Sequence, residues 1–449
     1  MSDQKSGGIH RSQTSSSAFL LSRSDISEPA AEYGTQSDAA AAWTIEALTR
    51  VFPDAIGPGR ILEAGLAQVA GADRFAVMAF RIDDFHQAAE PETLIQEAAG
   101  IVDEICRDRN GIWGIVDADV LACFLPETDG EACLETADAV REKLAESRNG
   151  TVTIGIAGYP VLDYDRPSIL KNAQKAVVHA EFFGPDSRVV FDSVSLNISG
   201  DNYYQAGDID GAVAEFKKAL ELDAENVNVL NSLGVCHGVC EQYDQALECF
   251  LEAARLDPEE VMPVYNAGYV CMCKGDYARA LEYFRQAEAL DKNVFEVAFQ
   301  AGRVYLETGR YIQAKTHLEA AVDLNPGSSA AHRYLGDCYM EIDRDADAAT
   351  AYKNVLKIRP EDAEALSALG YLYEMRSRNA DIALMFCQRA VEMAPDNALF
   401  RQRLGRLYFN RNRYDEALEE FEAARGLGDT ASDEYMEMIK GGRSKVSDG

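Results

Sequence analysis

Four cysteines lie at a spacing that could support metal chemistry. Cys236 and Cys240 are four residues apart, which places both on one face of a helix, and Cys271 and Cys273 follow about one repeat later. Thiolates on neighbouring helices can bind zinc, but cysteine also packs as a small buried hydrophobe. Packing is favoured, so we predict no metal and no cofactor. The positions equivalent to Cys236 in other repeats are apolar: Val270, Val304, Cys338, Leu372 and Leu407.

The chain lacks the motifs that carry the commonest enzyme chemistry. Its 6 histidines form no His-x-x-x-His pair. Neither a Gly-x-Ser-x-Gly elbow nor a Gly-x-x-x-x-Gly-Lys phosphate loop occurs in the sequence. No residue is therefore assigned a catalytic role, and we expect the protein not to be an enzyme.

Composition limits the kinds of partner. Asp and Glu outnumber Lys and Arg by 75 to 43, so the formal net charge is −32. This charge disfavours nonspecific binding to nucleic acid or to anionic membranes, which needs basic patches. No apolar run is long enough to span a bilayer, and the absence of a secretory signal or a compact cysteine framework favours a reducing compartment. We expect a cytoplasmic protein without nucleic-acid or membrane partners.

A repeat organises the chain from residue 193 onward. Glycine recurs every 34 residues with one interval of 35, and an alanine and a larger side chain follow each glycine at nearly fixed distances. Each period holds two stretches of helical periodicity, which predicts a pair of helices that cross at the small residues. The larger side chains are expected to fill the space between pairs, which are stable only when stacked. The glycines are Gly200, Gly234, Gly268, Gly302, Gly336, Gly370 and Gly405.

These columns resemble the tetratricopeptide repeat, whose period is about 34 residues. The stretches Tyr265–Leu290 and Tyr334–Pro360 carry the family pattern well, and seven such units cover 193–431. The resemblance implies an all-α, right-handed superhelix whose concave groove binds a peptide or protein segment. Aromatic and arginine side chains suit that role, although any one of them could instead pack between units. The residues expected in the groove are Asn231, Tyr265, Tyr269, Met272, Phe299, Arg303, Arg333, Asp337, Tyr371 and Arg406.

Residues 41–192 predict a separate α+β domain. Two helices precede the strand 74–82, which is apolar on both faces as a central strand would be. The order of the following elements is β-α-β-β-α-β, the ferredoxin-like plan, with an added helix and strand. After the first strand the predicted elements are a helix at 92–108, strands at 111–116 and 120–126, a helix at 131–147, a strand at 151–159, a helix at 168–184 and a strand at 187–193.

Residues 44–192 also resemble the nucleotidyl-cyclase fold of diguanylate cyclases, known as GGDEF domains. The opening EALT at 46–49 and RIDDF at 81–85 match two family stretches. DADVLACFLP at 117–126 stands for the signature hairpin, and TVTIGIAGYP at 151–160 for a later strand. In that family an aspartate at the end of the first strand and an acidic hairpin residue bind two Mg²⁺ ions, which neutralise the triphosphate.

The residues that would bind metal and nucleotide are replaced in this sequence. By the resemblance, Arg81 occupies the place of the first aspartate and Val120 that of the catalytic glutamate. Asp117 and Ala118 replace the two hairpin glycines, where side chains obstruct the nucleotide, while Asp119 matches the signature aspartate. The resemblance therefore implies an inactive domain.

Two interpretations of this inactive domain remain open. Asp83, Asp84, Asp117 and Asp119 could form an acidic, cation-binding rim of a receptor for GTP or a cyclic dinucleotide, which would regulate the repeats. The domain could instead be a dimerisation or docking module that forms a homodimer, and this second interpretation is favoured. The degenerate site comprises Arg81, Asp83, Asp117, Asp119 and Val120.

The sequence thus predicts a bacterial, non-catalytic scaffold or signalling adaptor that binds a protein partner through its repeats. Its parts are a disordered tail at 1–40, a degenerate cyclase-like domain at 41–192, and seven repeats at 193–431. A C-terminal tail or capping helix at 432–449 completes the chain.

Overall fold

The stretch from Phe75 to Ile82 is apolar on both faces because it is the central strand, β1, of a five-stranded sheet. β1 pairs antiparallel with β3 on one side and with β4 on the other. β2 pairs antiparallel with β3, and β5 pairs parallel with β4, which gives the order β2-β3-β1-β4-β5. The strands are β1 (Phe75–Ile82), β2 (Ile112–Asp117), β3 (Val120–Pro126), β4 (Val152–Tyr159) and β5 (Arg188–Val190).

Helices cover both faces of this sheet. Met78 and Phe80 of β1 belong to the core shared with α1, α3 and α4, whereas Phe75 and Val77 belong to the core shared with α2 and α5. The alternation follows from the two-residue period of a strand. These helices are α1 (Asp38–Thr49), α2 (Ile61–Gln68), α3 (Pro91–Asp108), α4 (Leu134–Glu146) and α5 (Ser168–Glu181). The predicted β-α-β-β-α-β order of elements is confirmed.

The computed structural model describes residues 38–146, 150–376 and 380–447. Residues 1–37 of the predicted tail (1–40) lie outside the described residues, whereas residues 38–40 belong to α1. In the described part of the chain, no helix has the length and apolar character needed to cross a bilayer.

From residue 193 onward the described chain is helical and forms the seven helix pairs that the glycine spacing predicts. The first helices of the pairs are α6 (Ser193–Gln205), α8 (Val227–Val239), α10 (Val261–Cys273), α12 (Phe295–Glu307), α14 (Ser329–Glu341), α16 (Ala363–Met375) and α18 (Ala398–Asn410). The second helices are α7 (Ile209–Leu222), α9 (Tyr243–Leu256), α11 (Tyr277–Leu290), α13 (Tyr311–Leu324), α15 (Asp345–Ile358), α17 (Ala380–Met393) and α19 (Tyr414–Gly426), and α20 (Ser432–Ser447) follows them.

Each column glycine lies against the large side chain of its own helix pair. A Cβ atom added at Gly234 would stand 2.6 Å from the Phe250 ring, and one at Gly405 would stand 2.8 Å from the Phe421 ring. This corrects the expectation that the larger side chains fill only the space between pairs. Because glycine has no Cβ atom, the side chain of the second helix can reach the backbone of the first helix.

The chain separates into two units, the first ending at Asn266 and the second beginning at Ala267. The first unit therefore holds both the sheet and the first helix pairs. Leu196 and Phe216 share a core cluster with Phe75 of the sheet, and the Lys175 ammonium lies 2.6 Å from a carboxylate oxygen of Glu215. The first helix pairs, from α6 onward, thus pack against the sheet domain.

The glycine–ring contact gives a direct test. Gly405→Ala places a methyl group against Phe421, and overpacking of this kind typically costs about 1 to 3 kcal/mol. Gly426→Ala, in the same helix pair, is the matched control, because a Cβ atom there meets no atom within 4 Å and alanine favours the helix. In urea titrations followed by circular dichroism, Gly405→Ala is expected to lower the unfolding midpoint and Gly426→Ala to keep or raise it. Equal midpoints for the two variants would contradict this packing.

Candidate functional site

Of the five residues that sequence reasoning assigned to a degenerate site, Arg81, Asp83 and Asp119 line a cavity of about 300 Å³ at the end of β1, whereas Asp117 and Val120 are not among its lining residues. Its lining includes Arg81, Asp83, Asp119 and Glu181. Val120 is buried at the start of β3, where it pairs with Arg81 in the sheet register. Asp117 ends β2, and one of its carboxylate oxygens accepts a hydrogen bond from the Ala118 amide at 2.7 Å.

The Asp83 carboxylate is used to hold the fold together. One oxygen accepts hydrogen bonds from the Thr151 hydroxyl at 2.7 Å and from the Asp186 amide at 2.8 Å. The other accepts a hydrogen bond from the Thr153 hydroxyl at 2.7 Å. These bonds join the end of β1 to β4 and to the loop before β5. A carboxylate with three such donors has little capacity left for a cation.

The Arg81 guanidinium supplies a positive charge between two carboxylates of this cavity. It forms an ion pair with Glu181, and its Nε atom lies 3.9 Å from a carboxylate oxygen of Asp119. Arg81 thus offsets the negative charge of both carboxylates. Within the described ranges, no group of three or more His, Cys, Asp or Glu side chains could hold a metal ion.

The cysteines do not form a common site. Cys236 and Cys271 are buried, whereas Cys240 and Cys273 are exposed. Burial raises the pKa of the Cys236 thiol to about 12, which opposes the thiolate form that metal binding requires. These observations support the packing interpretation.

The predicted groove residues around α8 and α10 are mostly buried. Asn231 is 6% exposed and its side-chain oxygen accepts a hydrogen bond from the Asn266 amide group at 2.8 Å. Tyr265 has no exposed surface and Tyr269 is 8% exposed, while Met272 is half-buried. Tyr265 therefore packs in the interior and offers no surface to a partner.

In the second unit, Tyr334 joins two arginines from successive first helices. The guanidinium carbon of Arg303 on α12 lies 5.1 Å from the centre of the Tyr334 ring on α14, and that of Arg333 lies 5.2 Å from it. Arg303 also lies 5.7 Å from the ring centre of Phe299, which is 6% exposed. Stacking of this kind is a cation–π contact. We call Tyr334 and its two arginines the Tyr334 cluster.

A second cluster of the same type surrounds Tyr371 on α16. The guanidinium carbons of Arg403 and Arg406, both on α18, lie 5.1 and 4.3 Å from the ring centre. Arg406 also forms an ion pair with Glu374 at 3.4 Å. We call Tyr371 and its two arginines the Tyr371 cluster. Together with Asp337, the two clusters form what we call the inner face of the second unit.

Asp337 lies on α14 among these arginines. Its carboxylate accepts a hydrogen bond of 2.6 Å from the Tyr352 hydroxyl. Burial raises the pKa of the Asp337 carboxyl above its usual value, against the opposing effects of the Tyr352 hydrogen bond and of Arg333 and Arg403. The ionised form of this carboxyl is therefore less stable in the folded protein than in water, and its charge lowers the free energy of unfolding.

Sequence reasoning named six residues of this region and missed two that complete the clusters. Tyr334 and Arg403 each stand two residues before a column glycine, whereas the predicted set drew on positions three before and one or four after it. The same repeat register could therefore have identified them. The six named residues are Phe299, Arg303, Arg333, Asp337, Tyr371 and Arg406, and their role in binding stays a prediction.

The structure defines a protein of the helical-repeat class, with first helices that present a polar and aromatic surface. Models of the tetratricopeptide repeat match residues 200–238, 241–294, 299–363, 346–397 and 374–435. These matches together cover just over half of the chain and show that it is a tetratricopeptide repeat protein. No curated protein sequence matches the chain.

Solved structures of similar repeat proteins overlap parts of the chain. YrrB, described as a TPR protein with an unusual peptide-binding site, is 25% identical, covers 39% of this chain and 91% of its own, and has a TM-score of 0.35. PilF of Pseudomonas aeruginosa is 19% identical, covers 46% and 95%, and has a TM-score of 0.43. MamA of Desulfovibrio magneticus RS-1 is 23% identical, covers 37% and 93%, and has a TM-score of 0.35. The family assignment rests on the repeat models.

The raised pKa of Asp337 predicts a pH-dependent stability. Since the folded-state pKa lies above the unfolded-state pKa, the contribution of this carboxyl is present at low pH and lost as the pH rises through the folded-state value. Asp337→Asn keeps an oxygen for the Tyr352 hydroxyl but cannot ionise. The thermal midpoint of the variant is expected to rise relative to that of the natural protein as the pH is raised from the ordinary carboxyl pKa of 3.8 to neutrality.

The control for this experiment is Asp323→Asn, which changes an exposed carboxyl on α13. Its midpoint difference from the natural protein is expected to stay the same across the pH range. If the midpoint difference between Asp337→Asn and the natural protein also stays the same across the pH range, ionisation of Asp337 does not destabilise the folded state. Tyr352, Arg333, Arg403 and Glu364 face the Asp337 carboxyl and are unchanged in both variants.

Proposed function

We propose that the protein is a non-catalytic scaffold that binds a segment of a partner protein on the inner face of the second unit. The observation that carries the proposal is the pair of clusters in which two arginines stack on one tyrosine. Tyrosine and arginine are the residues most enriched among the energetic centres of protein interfaces. Planar rings and guanidinium groups offer flat contacts at a low entropic cost.

The ligand is a polypeptide because the surface is long and continuous. Contacts join each first helix to the next, from Arg303 and Tyr334 through the Arg333–Glu364 ion pair to Arg406 and Tyr371. A row of half-buried side chains along successive helices suits an extended chain better than a compact small molecule. The aromatic rings provide anchoring contacts for the bound segment. The arginines set the direction in which the segment runs and its position along the surface.

We infer that the sheet domain is a degenerate, inactive relative of the diguanylate cyclases. Asp83 is committed to hydrogen bonds within the fold, and Arg81 lies where the resemblance places a metal-binding aspartate. The remaining cavity is lined by more acidic than basic side chains, which disfavours the phosphates of GTP or a cyclic dinucleotide. Docking or homodimer formation through this domain stays a prediction.

A random peptide library displayed on phage and selected on the immobilised full-length protein tests the proposal. Tyr334→Gln combined with Tyr371→Gln removes the ring at the centre of each cluster, and both side chains are only half-buried. The selected peptides are expected to bind the natural protein and to lose about tenfold or more in affinity to this double variant, since two aromatic anchors are removed.

Ile312→Glu is the matched control, because Ile312 is 67% exposed and lies on the second helix α13. Its binding is expected to equal that of the natural protein, and circular dichroism verifies the folding of all three proteins. Failure to select any peptide would contradict the proposal. So would peptides that bind the double variant as well as the natural protein.

A further inference from the structure

We propose that the segment bound on the inner face is acidic and places carboxylates about three to six residues apart, one on Arg303 and one on Arg403. This inference rests on the proposed function and specifies its ligand. Its source is a difference between the two arginines of each cluster.

One arginine in each cluster is neutralised by a carboxylate of the protein. Arg333 of the Tyr334 cluster lies 3.4 Å from a carboxylate oxygen of Glu364, and Arg406 of the Tyr371 cluster lies 3.4 Å from Glu374. These two arginines are held in place by an ion pair as well as by the tyrosine ring. Their charges are balanced within the protein, so they do not require a carboxylate from a ligand.

The other arginine in each cluster has a neutral partner. Arg303 donates a hydrogen bond of 2.9 Å to the side-chain oxygen of Gln300, and Arg403 donates one of 3.1 Å to the Ser367 hydroxyl. Among the described residues, neither arginine forms an ion pair with a carboxylate. In the described part of the chain, each cluster therefore holds one guanidinium outside any ion pair, although the Asp337 carboxyl faces Arg403 without contacting it as an ion-pair partner.

Arg403 shows why an anion is the favoured ligand. Burial lowers the pKa of its guanidinium, which means that water stabilises the charge less well there than in solution. The guanidinium has five N–H donors, and a carboxylate can accept two of them in parallel. Stacking on Tyr371 fixes the plane of the group, so its outer edge is already oriented for such a pair.

The separation of the two arginines sets the length of the ligand. The Arg303 guanidinium lies 5.1 Å from a ring on α14, and the Arg403 guanidinium lies 5.1 Å from a ring on α16, the next first helix. Packed helices lie about 8 to 10 Å apart, so the two guanidinium groups are roughly 10 to 20 Å apart. An extended chain advances about 3.3 Å per residue and crosses that distance in about three to six residues.

The net charge of −32 does not exclude an acidic ligand. At physiological ionic strength the Debye length is about 8 Å, so most of the protein's carboxylates are screened from a segment bound on the inner face. The arginines within direct contact distance determine the local interaction. The same overall charge makes association slower at low salt and selects segments that fit both arginines.

Fluorescein-labelled synthetic peptides test the inference on the full-length protein by fluorescence anisotropy. The probe carries a pair of glutamates at each end of a serine–alanine spacer of about four residues. One comparison peptide has glutamine in place of every glutamate, and another has both glutamate pairs adjacent. The probe is expected to bind about tenfold or more tightly than either comparison peptide, because each charged hydrogen bond contributes roughly 1.5 to 3 kcal/mol.

Protein variants identify the arginines that receive the carboxylates. Arg303→Gln and Arg403→Gln are each expected to weaken binding of the probe by about tenfold and to leave binding of the glutamine peptide unchanged. Arg359→Gln is the control, because Arg359 is exposed at the end of the second helix α15. Circular dichroism verifies that each variant is folded.

The outcomes separate this inference from the function on which it rests. If library-selected peptides depend on Tyr334 and Tyr371 but lack acidic residues, the scaffold function stands and the acidic-ligand inference is wrong. If the glutamine peptide binds as tightly as the glutamate probe, the inference is also overturned. Loss of probe affinity in both arginine variants, with the control unchanged, supports it.

Discussion

In six of the seven repeats a glycine of the first helix lies against a large side chain of the second helix, and in the remaining repeat Gly370 lies against Cys387. This contact sets how closely the two helices approach. At Gly234 the side chain is Phe250, and at Gly405 it is Phe421. Because the contact lies between the two helices of a pair, it does not occupy the other side of the first helix, whose side chains can contact neighbouring first helices or a partner. In the second unit this side carries the Tyr334 and Tyr371 clusters. The proposed binding surface thus depends on a packing rule that repeats through the array.

In the sheet domain one carboxylate holds several elements together. Asp83 accepts three hydrogen bonds that join the end of β1 to β4 and to the loop before β5. Arg81 neutralises carboxylates that would otherwise repel one another. The first helix pairs pack against this domain in a common core. The domain therefore acts as the structural base of the repeats in the first unit.

Periodic features of the sequence were sufficient to predict most of the fold. The glycine spacing predicts seven helix pairs, and short β-rich apolar runs such as 74–82 predict the strands, because both signals depend on local geometry. The sequence could not show that Tyr265 is buried or that Arg303 lacks a carboxylate partner. Those properties depend on side chains from different repeats, such as Glu364 and Tyr334, whose contacts are set by packing. The compact units also divide at Asn266, where the sequence has no change in pattern.

Hydrogen–deuterium exchange of the full-length protein, with and without a bound peptide, tests the central claim most directly. Exchange reports the protection of each helix separately. The inner-face account predicts that added protection falls on α12, α14, α16 and α18, with little change on α13, α15, α17 and α19. Protection confined to the second helices, or to the cavity at the end of β1, would contradict it.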